Sequence, residues 1–141
     1  MVLRFVDASV FVHAYLRPRR PLKEHERSIK ARAKSIVARI NGGEAVATST
    51  VHLAEIANLL EAWMPLQDAR TVQRGLIQRD TVDIWSTAKG DFVEAVSVGQ
   101  EADIGTTDAL AAILMRRNGL KEIYSFDRDF DRFRDLRRAS R

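Results

Sequence analysis

The segment FVDASVFV, residues 5–12, joins a short apolar run, an acidic residue and a second apolar run. Residues 3–6 predict a first β-strand that ends at Asp7. Residues 9–16 predict a helix that follows this strand directly, and two prolines within the next five residues break the chain after it. This stretch therefore predicts a strand, a carboxylate at its carboxyl end and a helix in direct succession.

The remainder of the chain repeats the alternation of strand and helix. Further helices are predicted over 23–40, 50–64, 66–77, 91–102 and 108–117, and strands over 44–48, 81–85 and 121–126. The residues after 127 predict one helical turn and a weak fifth strand. Such alternation is typical of an α/β fold with a mostly parallel sheet, here of four to five strands, and helices on both faces. A length of 141 residues predicts one domain over residues 1–141.

The composition excludes several classes of site. The chain has no cysteine, which excludes disulfides, thiolate nucleophiles and cysteine-based zinc sites. No stretch approaches the roughly 20 apolar residues of a membrane span, and no targeting segment is recognisable, so we expect a soluble cytoplasmic protein. The formal net charge of +4 favours a polyanionic partner.

Four carboxylates occupy related positions in the predicted fold. Asp7 follows the first strand and Asp127 follows the fourth, while Asp108 and Glu55 lie near the beginnings of two helices. The carboxyl ends of parallel strands and the amino ends of the helices that follow them meet at one edge of the sheet. The sequence therefore predicts that these four side chains form an acidic cluster.

A cluster of carboxylates is typical of a divalent metal site. Neighbouring carboxylates raise each other's pKa, and a bound cation removes that repulsion. Hard oxygen ligands suit Mg²⁺ or Mn²⁺, and such sites activate water and stabilise charge on phosphoryl groups. Ser9 and Ser125 each lie two residues from an acid of the cluster, where a hydroxyl can orient a carboxylate or a bound water.

Each acid also has a structural explanation when it is taken alone. Asp7 can form a turn, Asp108 can stabilise a helix dipole and Glu55 suits an exposed helix. Asp127 is followed by Asp129 and Asp131, and these acids alternate with basic residues as a solvated surface does. The occurrence of all four at one predicted edge favours a site, and a contribution from Asp129 or Asp131 stays open.

Three stretches resemble the motifs of PIN-domain ribonucleases, most closely the VapC-type toxins of toxin–antitoxin pairs. They are FVDASVFV, ATSTVHLAEIANLLE and GTTDALAAILMRRNGLKEIYSFDRDF, and the resemblance covers essentially the whole chain. It implies a three-layer α/β/α sandwich in which Asp7, Glu55, Asp108 and Asp127 form a metal-dependent active site that cleaves RNA. It also implies a homodimer, and inhibition by a VapB-like antitoxin whose C-terminal segment covers the active-site groove.

Basic residues provide candidate contacts to the RNA backbone. The candidates are Arg17, Arg19, Arg20, Arg116, Arg117 and Arg128. Phosphate contacts of this kind give salt-dependent binding. The segment 17–39 is long for the resemblance and carries nine basic residues. Its basic face fits RNA, a solvated helix surface or an acidic antitoxin segment equally well.

Three alternative functions stay open at this point. The chain can be a PIN nuclease of RNA processing or quality control, or a catalytically silent RNA-binding protein on the same fold. A phosphotransfer domain with Asp7 as nucleophile is disfavoured because no suitably placed lysine follows a later strand. The three histidines are not spaced as a ligand set. Trp63 and Trp85 lie in apolar contexts and are interpreted as core or dimer-interface residues rather than as platforms on which bases stack.

Overall fold

The computed structural model describes residues 2–139, and residues 1, 140 and 141 lie outside the described part. Its sheet has five strands, β1 Arg4–Val6, β2 Val46–Ser49, β3 Val82–Trp85, β4 Glu122–Tyr124 and β5 Arg137–Arg138. The strand order is β3-β2-β1-β4-β5, and all neighbouring strands run parallel. The predicted α/β class with a parallel sheet is confirmed, and the weak fifth strand is present as two residues.

Within residues 2–139, six α-helices and one 3₁₀-helix connect the strands. They are α1 Ala8–Tyr15, α2 Glu24–Asn41, α3 Thr50–Trp63, α4 Leu66–Gln78, α5 Lys89–Ala102, α6 Thr106–Arg117 and the 3₁₀-helix Arg128–Arg132. Helix α1 packs against α2 and α3, whereas α5 packs against α6. The predicted helices and strands are therefore confirmed, with ends that differ by a few residues.

Side chains that alternate in direction along the short strands pack against helices on both faces of the sheet, which produces the three layers. Val6 and Tyr124 contribute to the core beneath α1, α2 and α3, while Phe5 and Ile123 contribute to the core beneath α6. Successive side chains of a strand point to opposite faces of the sheet, so each central strand supplies both cores. The sandwich implied by the resemblance is confirmed.

Strand order places the two central strands β1 and β4 side by side. The chain leaves β1 toward one side of the sheet and enters β4 from the other, which makes this pair the topological switch point. The ladder extends one residue past β1, because the Asp7 backbone N–H donates to the Tyr124 carbonyl at 3.0 Å. Asp7 and the residues that follow Tyr124 are thus neighbours at the carboxyl edge.

Local sequence explains where the helices that reach this edge begin. Ser49 caps α3, since its Oγ accepts the His52 backbone N–H at 3.2 Å. Helix α6 begins at Thr106 after Gly105, without a side-chain cap. Thr106 and Thr107 therefore lie inside the first turn of α6 rather than at its cap. Within residues 2–139, no helix combines the length and apolar character that crossing a membrane requires.

Candidate active site

A pocket of about 330 Å³ lies at the carboxyl ends of β1 and β4. Its walls come from α1, α3, the first turn of α6 and the segment after β4. The lining residues are Asp7, Ser9, Val12, His13, Glu55, Leu59, Thr107, Asp108 and Asp127. The structure thus brings together all four predicted carboxylates, although they are spread over 121 positions of sequence from first to last.

Hydroxyl groups orient the carboxylate of Asp7, which is 3% exposed. Ser125 Oγ donates to Asp7 Oδ2 at 2.8 Å and accepts the Asp127 backbone N–H at 3.0 Å. Ser9 Oγ lies 3.4 Å from Ser125 Oγ and accepts the Phe126 backbone N–H at 3.1 Å. The two serines therefore connect β1, α1 and the segment after β4 around one carboxylate.

Asp127 and Asp129 form a local turn that gathers carboxylate oxygens. Asp127 Oδ1 accepts the Asp129 backbone N–H at 2.9 Å, which caps the 3₁₀-helix. One carboxylate oxygen from each of Asp108, Asp127 and Asp129 lies within 4.8 Å of the others. Asp131 points elsewhere, because both its oxygens pair with Arg138 at 2.8 and 3.0 Å. Of the two acids that the sequence left open, Asp129 therefore lies beside Asp108 and Asp127, whereas Asp131 does not.

Glu55 is held by a partner that the sequence did not suggest. Thr107 Oγ1 donates to Glu55 Oε2 at 3.2 Å, so the first turn of α6 contacts the second turn of α3. Thr107 directly precedes Asp108 in the sequence, and this adjacency could have indicated its role. A hydroxyl in the first turn of α6 reaches the same sheet edge as the acid.

His52 links the same two helices inside the core. Its Nε2 lies 3.0 Å from the Thr107 carbonyl oxygen, and its Nδ1 lies 2.6 Å from Ser49 Oγ. A carbonyl only accepts, so Nε2 carries the proton and Ser49 Oγ donates to Nδ1. Burial lowers the pKa of His52, with the nearby Asp7 acting in the opposite direction, and the imidazole is neutral. His52 is therefore a structural link rather than a metal ligand.

Crowding of carboxyl groups perturbs their protonation. Burial raises the pKa of Asp108 to about 8, together with the charges of Asp7, Asp127 and Glu55 and a hydrogen bond to Asp127. Burial and the charge of Asp7 likewise raise the pKa of Glu55, against the opposing effect of the Thr107 hydrogen bond. No lysine or arginine lines the described pocket to offset these charges. The cluster is thus an acidic site without a neutralising cation from its own walls.

The donor set fits a hard divalent cation. The ligands of an octahedral Mg²⁺ ion, each about 2.1 Å from it, lie up to about 4.2 Å apart. Oxygens from Asp108, Asp127 and Asp129 already lie within 4.8 Å of one another, and Asp7 and Glu55 face the same pocket. All five donors are carboxylates, the ligand type that Mg²⁺ and Mn²⁺ prefer. A bound divalent cation would offset the repulsion between these carboxylates and so stabilise their charged forms.

The predicted RNA contacts are dispersed over the surface. Arg128 directly follows Asp127 and is exposed. Arg116 and Arg117 lie at the end of α6 opposite to Asp108 and form ion pairs with Asp135 and Asp91, each at 2.7 Å. The structure does not bring Arg116 and Arg117 to the acidic pocket.

The loop after α1 and the two tryptophans have distinct environments. Arg17, Arg19 and Arg20 lie in this exposed loop, beyond the far end of α1. Trp85 packs against Phe5, with ring centroids 5.9 Å apart, in agreement with a core role. Trp63, in contrast, is 51% exposed at the end of α3, so it does not belong to the core, and its place at a dimer interface stays a prediction.

Comparison with known proteins identifies the family. The model of the PIN domain matches residues 4–136, and the chain belongs to the PIN domain family. No curated protein sequence matches the chain significantly. The family assignment agrees with the resemblance of the three sequence motifs.

Solved structures share this fold at low sequence identity. The chain is similar to Mycobacterium tuberculosis VapC20, described as a toxin that cleaves the sarcin–ricin loop, with a TM-score of 0.66, 20% identity and 92% coverage of both chains. It is also similar to VapBC2 from Rickettsia felis bound to a DNA fragment from their promoter, with a TM-score of 0.64, 13% identity and 98% coverage of both chains. PAE2754 from Pyrobaculum aerophilum gives a TM-score of 0.56 at 20% identity, with 97% of this chain and 89% of that chain covered.

Proposed function

We propose that this protein is a divalent-metal-dependent endoribonuclease and the toxin of a VapBC-type toxin–antitoxin pair. The convergence of four carboxylates in one pocket without a lysine or arginine carries the proposal. Membership of the PIN domain family and similarity to a toxin described as cleaving the sarcin–ricin loop support it. Retention of all four acids disfavours a catalytically silent RNA-binding protein.

In this proposal Asp7 and Asp108 would hold a Mg²⁺ or Mn²⁺ ion, directly or through water. Glu55 and Asp127, with Asp129 beside Asp127, would complete the site or hold a second ion. When bound, such an ion activates water and stabilises charge that develops on a phosphoryl group. Ser125 keeps the Asp7 carboxylate in one orientation through its 2.8 Å hydrogen bond. Asp7 can therefore bind without a loss of side-chain freedom at the time of reaction.

Glu55 is the candidate for proton transfer in this mechanism. Thr107 holds its carboxylate in place, and burial with the neighbouring charge of Asp7 raises its pKa above the ordinary value of a glutamate. A positioned carboxyl group of this kind can act as a general acid or base. Glu55 Oε1, the oxygen that Thr107 does not hold, would accept a proton from the attacking water or return it to the leaving oxygen. The substitution Glu55→Gln should then lower kcat more than it raises KM.

The decisive comparison is between the purified wild-type chain and Asp7→Asn on single-stranded RNA with Mg²⁺. We expect the substitution to reduce cleavage by at least about 100-fold, because it removes an oriented ligand charge, while the fold persists. Asp83→Asn, an exposed position on β3, is the matched control and should cleave at the wild-type rate. Equal rates for wild type and Asp7→Asn would contradict the assignment.

Growth assays test the toxin part of the proposal separately. Expression of the wild-type chain should arrest growth, and expression of Asp7→Asn should not. Co-expression of a small antitoxin encoded beside the gene should restore growth and should yield a complex that copurifies. If no arm affects growth while the purified protein cleaves RNA, the toxin role is wrong, and a nuclease of RNA processing or quality control remains. A homodimer is proposed as well, and light scattering should give twice the mass of one chain.

A further inference from the structure

Two further depressions adjoin the acidic pocket along α1 and α3. The pocket shares Val12 and Leu59 with an apolar depression between the two helices. That depression shares Leu16 and Trp63 with a hollow formed by the loop between α1 and α2. We call the surface marked by the shared residues Val12, Leu59, Leu16 and Trp63 the α1–α3 groove. It leads from the carboxylates to the basic loop.

The far end of the α1–α3 groove is positively charged. Arg17, Arg19 and Arg20 line the hollow there, and Glu26 is the one acidic residue among its described lining residues. Glu26 is already occupied, since both its oxygens accept from Arg20 at 3.0 and 2.9 Å. Arg17 and Arg19 have no carboxylate partner within residues 2–139. Their charge is therefore available to an anionic ligand.

Trp63 presents an aromatic surface at this end of the groove. The residue is 51% exposed, although it belongs to a helix whose inner face is well packed. The guanidinium carbon of Arg19 lies 5.5 Å from the centre of its ring, in cation–π contact. An exposed aromatic ring beside arginines is the arrangement with which proteins stack the bases of single-stranded nucleic acid and hold its backbone.

We infer that the α1–α3 groove binds the single-stranded RNA that flanks the scissile phosphate, with one base stacked on Trp63 and the backbone held by Arg17 and Arg19. This inference rests on the proposed ribonuclease function and adds where the strand runs. Eight residues of α3 separate Glu55 from Trp63, a length of about 12 Å. That length corresponds to about two to four nucleotides. The stacked base therefore lies two to four nucleotides from the cleaved bond.

An acidic peptide is the competing occupant of this groove. It would satisfy the arginines as well as RNA does. Two features favour RNA. The groove adjoins the pocket in which the phosphodiester would be cleaved, and its well-exposed Trp63 ring is in cation–π contact with Arg19.

Binding is measured first, in the Asp7→Asn background so that the RNA stays intact. Fluorescence anisotropy with a short labelled single-stranded RNA should show that Trp63→Ala weakens binding by about fivefold or more, while Trp63→Phe retains most of the affinity. Arg19→Gln should weaken binding and flatten its dependence on salt.

Phe92→Ala is the aromatic control, because Phe92 is 43% exposed on α5, in the opposite layer. Arg134→Gln is the cationic control, because Arg134 lies with Leu3 and Lys121 at the other edge of the sheet.

Cleavage kinetics then locate the contact. In the active chain, Trp63→Ala should raise KM for a long RNA with kcat unchanged, and should leave a dinucleotide substrate unaffected because it ends before Trp63. An abasic site placed two to four nucleotides from the cleaved bond should raise KM for the wild type. The same site should have no further effect on Trp63→Ala, since the stacking contact is already lost.

Several results would overturn the inference. One is an RNA affinity that neither Trp63→Ala nor Arg19→Gln changes while the wild-type chain cleaves RNA. Another is release of a copurifying antitoxin by these substitutions with RNA binding intact, which would assign the groove to a protein partner. Failure of the proposed function looks different, because the wild-type chain would then leave RNA uncut. The anisotropy measurement would still decide whether Trp63 contacts RNA.

Discussion

The Asp108 carboxyl shows most directly what the acidic pocket requires of a single residue. It is half-buried, and its pKa rises to about 8 because of burial and the charges of Asp7, Asp127 and Glu55. At neutral pH the metal-free protein therefore keeps a proton on Asp108 that an isolated aspartate would have lost. A divalent cation competes directly with this proton.

The stability of the metal-free protein should accordingly depend on pH through Asp108. Below about pH 4 the carboxyl is protonated in both folded and unfolded chains. Between about pH 4 and pH 8 the unfolded chain releases the proton while the folded chain keeps it, so the free energy of unfolding falls as the pH rises. We expect Asp108→Asn to remove about 1 to 3 kcal/mol of this fall, a range reduced for solvent screening of a half-buried group.

Urea denaturation at pH 5 and pH 8 in the presence of a chelator measures this effect. At pH 8 Asp108→Asn should be more stable than the wild type, and the difference should shrink at pH 5. Asp83→Asn, whose side chain is exposed on β3, should follow the wild-type pH dependence. Parallel pH profiles for the wild type and Asp108→Asn would show that Asp108 ionises normally.

At the scale of secondary-structure elements, the site depends on how α3 and α6 meet. Each contributes its first turns to the pocket, and they are joined by two contacts, from Thr107 to Glu55 and from His52 to the Thr107 carbonyl. The second contact is buried, since His52 is fully inaccessible to solvent and packs edge-on against Phe5. The orientation of Asp108 and Glu55 thus follows from a contact in the core.

Removal of the His52 imidazole should loosen this junction. His52→Ala removes the acceptor of the Ser49 hydroxyl proton and the donor to the Thr107 carbonyl, and opens a cavity against Phe5. We expect a loss of about 2 to 4 kcal/mol in the free energy of unfolding, with reduced cleavage because α6 shifts relative to α3. His25→Ala, on the exposed face of α2, should change stability by less than about 0.5 kcal/mol. Equal effects of the two substitutions in urea denaturation would refute a structural role for His52.

The turn from α5 into α6 restricts the residue at position 99. A Cβ at Gly99 would lie 2.9 Å from the Ile104 backbone carbonyl and 3.6 Å from the Ala109 side chain. Gly99→Ala should therefore destabilise the protein by about 1 to 3 kcal/mol, because the backbone of this turn has to move. Gly75→Ala in α4 meets no atom within 4 Å and should stabilise by up to about 1 kcal/mol through helix propensity. Thermal unfolding of both variants tests this contrast, and a stabilised Gly99→Ala would contradict it.

At the scale of the whole molecule, charge is segregated. The net charge of +4 combines a pocket lined by four carboxylates with arginines in the loop after α1 and along the chain surface. Under the proposed function, the arginines hold the RNA and the carboxylates hold the metal. Such segregation allows one polyanion to approach a site of its own sign, since the surrounding surface attracts it.

A metal that binds only the folded chain should stabilise the whole molecule. At a concentration 100 times its dissociation constant, Mg²⁺ should raise the free energy of unfolding by about 2.7 kcal/mol. We expect a higher Tm for the wild type in MgCl₂ than in NaCl of equal ionic strength. The difference should be abolished or strongly reduced in Asp7→Asn and retained in Asp83→Asn. An equal rise in Tm for Asp7→Asn would mean that Mg²⁺ binds elsewhere.

Much of this architecture could be predicted from the sequence because it depends on local signals. Alternating apolar runs, helical periodicity and turn residues indicated the order of strands and helices, and the rule for parallel sheets placed Asp7, Glu55, Asp108 and Asp127 at one edge. The structure confirms the fold and brings these four side chains into one pocket.

The sequence by itself determined the order of the elements and the edge at which the acids converge, since both follow from residues near one another in the chain. Only the tertiary structure decided which side chains contact one another. It paired Ser125 with Asp7 across 118 positions, turned Asp131 toward Arg138 and left Trp63 exposed beside Arg19. These outcomes depend on the packing of separate elements, and no spacing within one element encodes which side chains of another will meet it.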